Sequence, residues 1–116
     1  MSFVVEMTGR PLTTLKHTCG DTAETLGDIA SWVSQYVSGQ TKENVTGCLI
    51  TTETYGIRFA WGADPTDSAG TAFGHVLAAA QSLKLTNHKQ VIDFRFVNQT
   101  HGSNAVIHVT PETSKV

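Results

Sequence analysis

The stretch GCLITTETYGIRFAW, Gly47 to Trp61, is two runs of β-forming residues on either side of a short polar corner. Cys48–Thr52 and Gly56–Trp61 flank Glu53-Thr54-Tyr55, the one-dimensional signature of a hairpin. In the second run Tyr55, Ile57, Phe59 and Trp61 fall on one side of the pleat, with Gly56, Arg58 and Ala60 on the other. Each large side chain, if fully buried, contributes roughly 1.5–3 kcal/mol, so this strand is expected at the centre of a sheet and not at a free edge.

Working outward, the 116 residues suffice for a single domain, 1–116, with one sizeable core. The 8 basic and 10 acidic residues are close to balance, and the basic ones are scattered from Arg10 to Lys115. A nucleic-acid footprint or a membrane-binding polybasic surface needs clustering, so neither partner is expected. The start, MSFVVEMTGR, lacks the pattern of a signal peptide, and no run reaches the roughly 18 apolar residues of a membrane helix; a soluble product of the cytoplasm is expected. Seventeen threonines against eight serines, with ten glycines, favour strands and turns.

Taken in order, alternation of Phe3, Val5 and Met7 with Val4 and Glu6 predicts a first strand over Ser2–Met7, and Thr8–Pro11 reads as a turn. Leu12–Thr18 is weakly β, and Thr22–Leu26 reads as strand. Ile29, Trp32, Val33, Tyr36 and Val37 fall at i, i+3, i+4, i+7 and i+8, predicting a helix over Asp28–Ser38 with Asp28 as N-cap and Gly39 just past its end. Gln40–Thr46 reads as a polar loop. Beyond Trp61 lies a turn-rich connector to Gly70, followed by strands at His75–Ala78, Ser82–Thr86, Val91–Asn98 and Ala105–Thr110, with a polar tail expected to fray from Pro111. Seven or eight short strands, one helix and no β-α-β alternation make the fold class mainly β: an antiparallel β-sandwich or jelly-roll-like barrel.

The chemistry in the sequence is sparse. There is no Gly-x-Ser-x-Gly elbow, no phosphate-cradling glycine loop and no His-Glu-x-x-His, so no enzyme activity and no cofactor are expected. His17-x-Cys19-x-Asp21 puts three ligand types on one face of a strand, but no second cluster completes a four-ligand site, so no metal is expected either. Cys48 reads as a small buried hydrophobe, and a bond between Cys19 and Cys48 stays open. Glu53 with Asp93, or Glu24 with Asp28, would serve glycoside hydrolysis only if a cleft brought either pair together. His75, His88, His101 and His108 read as surface residues. Trp61 reads as core, with a sugar-stacking platform beside the Asp64–Gly70 loop as the alternative. Trp32 and Tyr36 on the predicted helix, and Phe3, Val4 and Val5 on the first strand, are the candidate interface residues.

From Gly47 onward the chain resembles small virion proteins encoded in the structural gene clusters of tailed bacteriophages. The resemblance rests on Leu49–Thr52 entering a corner at Glu53, on Ile57-Arg58-Phe59, on Gly62 with Asp64-Pro65-Thr66, on Gly74-His75-Val76-Leu77, on Ser82-Leu83-Lys84-Leu85-Thr86, on Phe94-Arg95-Phe96 and on Ala105–Thr110. It implies a β-sandwich that acts in the virion as a capsid decoration (cement) protein, binding the phage major capsid protein or other virion proteins as a homo-oligomer, with a trimer favoured. A tail or fibre accessory, or a host-attachment carbohydrate-binding module, is the alternative. No catalytic residue is carried over.

Overall fold

The computed structural model describes residues 10–32, 45–68 and 70–113. The Ser2–Met7 strand and the interface candidates Phe3, Val4, Val5 and Tyr36 lie outside them. The described chain is mainly β, two antiparallel sheets packed face to face with one short helix, as the composition implied. Nine strands occur among the described residues: β1 (Arg10–Pro11), β2 (Leu15–Thr18), β3 (Glu24–Thr25), β4 (Val45–Thr52), β5 (Ile57–Trp61), β6 (His75–Leu77), β7 (Ser82–Leu85), β8 (Phe94–Asn98) and β9 (Val106–Thr113). Helix α1 spans His88–Ile92. The first sheet runs β1-β9-β4-β7, with β2 also on β9, and the second runs β3-β8-β5-β6.

Gly47–Trp61 is therefore not a hairpin. β4 pairs with β7 and β9, whereas β5 pairs with β6 and β8 in the opposite sheet, so the corner carries the chain from one layer to the other. Tyr55 turns through a left-handed conformation (φ 62°), and Gly56 passes so close to the neighbouring chain that a Cβ there would sit 2.5 Å from the Leu77 carbonyl oxygen. Both runs keep their apolar residues on the inner faces: Cys48 and Ile50 on β4, Ile57 and Phe59 on β5, all buried. Crossing over lets the two runs cover the same core from opposite sides. The expectation that β5 is central holds, since β8 and β6 flank it.

Three further connections cross between the sheets beside this corner: β2 to β3, β6 to β7 and β8 to β9. Backbone bonds tie them together, with Cys19 N donating to Ala105 O (2.7 Å), Asn98 N to Gly20 O (3.1 Å), Gln99 N to Gly56 O (3.0 Å) and Glu53 N to Val106 O (2.9 Å). The Thr52 hydroxyl accepts from Gln81 N and donates to the Ala78 carbonyl (2.6 Å). Between the layers, His17 meets the edge of Phe96 at 5.8 Å and bonds Glu24 across the gap at 3.0 Å.

The structure corrects several sequence expectations. Asp28 does not start a helix: Leu26–Asp28 is a single 3-10 turn, and Asp28 is its last residue, accepting a hydrogen bond from Thr25 N at 3.0 Å. Ile29 is extended and Ser31 is left-handed, so the described part of the Asp28–Ser38 helix is a series of turns, and residues 33–38 lie outside the description. Val91–Asn98 is split, because Asn87 caps α1 by accepting from Gln90 N (2.9 Å) and leaves only Phe94–Asn98 as strand. Ile92 is consequently exposed. Arg10–Pro11 pairs with Glu112 and Thr113, and this pairing carries β9 past Pro111 where fraying was expected; Glu112 and Thr113 are fully buried.

Candidate functional site

The second sheet offers an apolar edge. Among the described residues one of its two outermost strands is β6, whose Val76 faces away from the core opposite Arg58 and is 45% exposed. Phe73, 51% exposed, precedes it and is held by a two-way backbone pair with Thr66 (both 3.0 Å). Gly74 allows this approach with φ 121°, and its carbonyl accepts from Arg58 Nη1 at 3.2 Å. The outermost β7 of the first sheet carries Ser82 and Lys84 outward instead, the polar edge that soluble sheets use to stay unpaired. Two edges of the same molecule thus differ in kind, and only β6 presents large apolar side chains.

The connector that leads to β6 lies over the outer face of the second sheet. Asp64 Oδ1 accepts from Arg95 Nη1 at 2.7 Å, and Pro65 packs beside Gly74 and Arg58. Ala60 and Val97, small residues of that outer face, are buried. The connector also brings Asp67 to the crossing end of the sandwich, where it meets Asp21 and His101. The Gly102 N–H (2.8 Å) and the Asn98 amide (3.0 Å) donate to Asp21 Oδ1, and in that order they hold this carboxyl below the usual carboxylate range. Asn98 itself is fully buried and also binds Asn104 and the Ala105 N–H.

At the opposite end Trp61 is 40% exposed. Its ring meets Phe59 and Phe94 at 5.6 and 5.7 Å, and its indole N–H donates to the Gln90 carbonyl at 3.0 Å. The alternation that predicted burial holds for Ile57 and Phe59 but not at the strand's ends, where Tyr55 belongs to the turn and Trp61 leans on α1 beside a shallow depression lined by Asn87, Lys89 and Gln90. Nearby, the 3-10 turn and α1 enclose a cleft of about 260 Å³ lined by Thr25, Leu26, Trp32, His88, Val91 and Ile92. Trp32, an interface candidate from the sequence, is only 8% exposed and forms part of the core.

The remaining sequence candidates are dispersed. His17 bonds Glu24, Cys19 is a buried free thiol, and Asp21 turns to a different cluster, so the His17-x-Cys19-x-Asp21 trio is not assembled. Burial raises the Cys19 thiol to about 12, with the Glu24 charge adding to it, and burial pushes Cys48 up as well. Both cysteines are free. Glu53 accepts from His108 (2.8 Å), which lowers its carboxyl, while Asp93 pairs with Lys89 (2.6 Å). Each candidate acid is thus engaged with its own partner: Glu53 with His108, Asp93 with Lys89, Glu24 with His17 and Asp28 with the Thr25 N–H. Sequence reasoning missed Asp67, which sits in a connector without periodicity and carries no motif. Comparison with known protein families, with curated proteins and with solved structures finds no match.

Proposed function

We propose that this chain is a structural protein of a tailed-bacteriophage virion, a capsid decoration protein that binds the major capsid protein and reinforces the shell. The observation that carries the reading is the apolar β6 edge with Phe73 and Val76, set on a sandwich in which β7, an outermost strand of the opposite sheet, is polar. Such an edge adds a strand from a neighbouring protein, with main-chain hydrogen bonds supplying affinity and the flanking side chains specificity. The strand series that resembles phage virion proteins runs from β4 to β9 and includes this edge. A self-complementary patch also suits a symmetric homo-oligomer, and on a shell of many identical sites modest contacts become lasting occupancy through avidity. No catalytic role is part of the reading.

Co-sedimentation with purified heads of the phage that encodes the chain tests it. The wild-type protein is expected to pellet with the heads, and Val76→Asp, which leaves the buried face of β6 intact, to stay in the supernatant. Equal pelleting of both proteins, or of neither, contradicts the reading. The half-exposed Trp61 favours one alternative, a host-attachment module in which its ring stacks on a sugar. A blue or red shift of tryptophan emission with host polysaccharide, absent in Trp61→Phe, would support it, and an unchanged spectrum would eliminate it.

A further inference from the structure

Asp67 is an unusual residue for its position. Its side chain is 97% buried by exposure (3% accessible), it belongs to a connector, and its Oδ2 has no hydrogen-bond partner. A buried carboxylate oxygen without a donor is costly, and a cation beside it would satisfy it. The side chain sits beside an imidazole and a second carboxylate. Asp67 Oδ1 lies 3.3 Å from His101 Nδ1, and His101 Nε2 lies 3.7 Å from Asp21 Oδ2. One donor atom from each of the three residues falls within 4.8 Å of the others, the one such group of His, Cys, Asp or Glu among the described residues.

We propose that Asp21, Asp67 and His101 bind a divalent cation of borderline softness, zinc foremost, which clips three connections of the sandwich together. Two carboxylates and one imidazole form a mixed oxygen and nitrogen set, which zinc accepts and which calcium or magnesium, preferring oxygen alone, does not. Around a zinc ion the donor atoms stand about 3.3–3.6 Å apart, so the present spacing closes with a shift of about an ångström. His101 is two-thirds exposed, while Asp21 is already oriented by the Asn98 amide and the Gly102 N–H. Fixed partners behind a ligand of this kind hold it in place for the metal. The three residues come from residues 19–23, 62–74 and 99–104, far apart in sequence, so an ion joining them closes long loops. This proposal stands apart from the virion reading and does not depend on it.

Calorimetric titration of the full chain with zinc chloride, alongside thermal unfolding, tests the site. One zinc per chain is expected, with a midpoint of unfolding that rises with zinc concentration as preferential binding to the folded state requires. His101→Ala and Asp67→Asn are each expected to weaken binding at least about tenfold and to abolish the thermal shift, while His108→Ala leaves both unchanged. Proton resonances of the His101 ring should move on zinc addition. Circular dichroism confirms that each variant is folded. No saturable binding, or binding unaltered in both His101→Ala and Asp67→Asn, overturns the proposal. So does calcium binding as tight as zinc and indifferent to His101→Ala. If Asp67→Asn stabilises the protein and zinc does not bind, the proposal is likewise overturned.

Discussion

Glu112 is fully buried on the outer side of the first sheet and pairs with Lys84, whose side chain keeps a fifth of its surface in water. Removing the cation takes the lysine partner from a fully buried carboxylate, whereas removing the carboxylate leaves a lysine that still reaches solvent. Lys84→Met is therefore expected to lower stability by about 3 kcal/mol, and more than Glu112→Gln does, read from urea midpoints. A reversed order would mean that the carboxylate is sustained by its other contacts. Beside it, Gly47 leaves room for the Glu112 side chain: a Cβ would sit 2.8 Å from the Leu85 carbonyl oxygen and 3.1 Å from Glu112 Cγ. Neither backbone nor the buried acid yields cheaply, so Gly47→Ala is expected to cost about 1–3 kcal/mol in the same measurement. The two buried thiols report on the same interior. With Cys19 raised to about 12 and Cys48 pushed up by burial, neither should react with a disulfide reagent at pH 8 until the protein unfolds, when both should react together.

At the level of elements, α1 depends on a single cap. Asn87 Oδ1 accepts from Gln90 N, and Gln90 Oε1 in turn accepts from Thr86 N at 2.7 Å. Asn87→Ala is expected to lose about 1 kcal/mol and to loosen the Trp61 contact with Gln90, visible as a red-shifted emission. This helix illustrates what the sequence made legible and what it did not. Phe94 and Phe96 are buried as alternation suggested, yet Ile92, in phase with them, stands on the helix and out in solvent while the out-of-phase Val91 is buried, because one side-chain cap outweighed a period-2 pattern too short to be decisive. The corner at Tyr55 is a like case. Strand positions and inward faces could be read from Cys48, Ile50, Ile57 and Phe59, but pairing could not, since a polar corner closes a hairpin or crosses between sheets with the same residues. The extension of β9 past Pro111 was hidden by polar Glu112 and Thr113, whose burial comes from partners distant in sequence.

For the molecule as a whole, the crossing end holds two carboxylates that set the acid limb of its stability. Asp21 and Glu53 are both held below the ordinary carboxylate range, Asp21 chiefly by the Gly102 N–H and Glu53 chiefly by His108. A depressed carboxylate contributes stability that is present above its unfolded value near pH 4 and lost as pH falls through the folded one. Lys89 is raised by Asp93, so its contribution fades only at strongly alkaline pH. The unfolding midpoint should thus be level through neutrality and decline below about pH 4, and Glu53→Gln should flatten part of that decline. Asp67 at this end was beyond sequence reading because its meaning lies in burial and neighbours, both supplied by chain segments far away. The β6 edge was half legible: Val76 could be placed on a strand, but its outward face followed only from the register with Arg58. The most direct test of the proposed virion role counts copies of this chain against the major capsid protein in purified virions of the tailed phage proposed to encode it, by quantitative mass spectrometry. Shell decoration predicts a ratio near one or one third. Absence from the particle would contradict the account, and a handful of copies would contradict decoration and place the chain at the neck, tail or fibres.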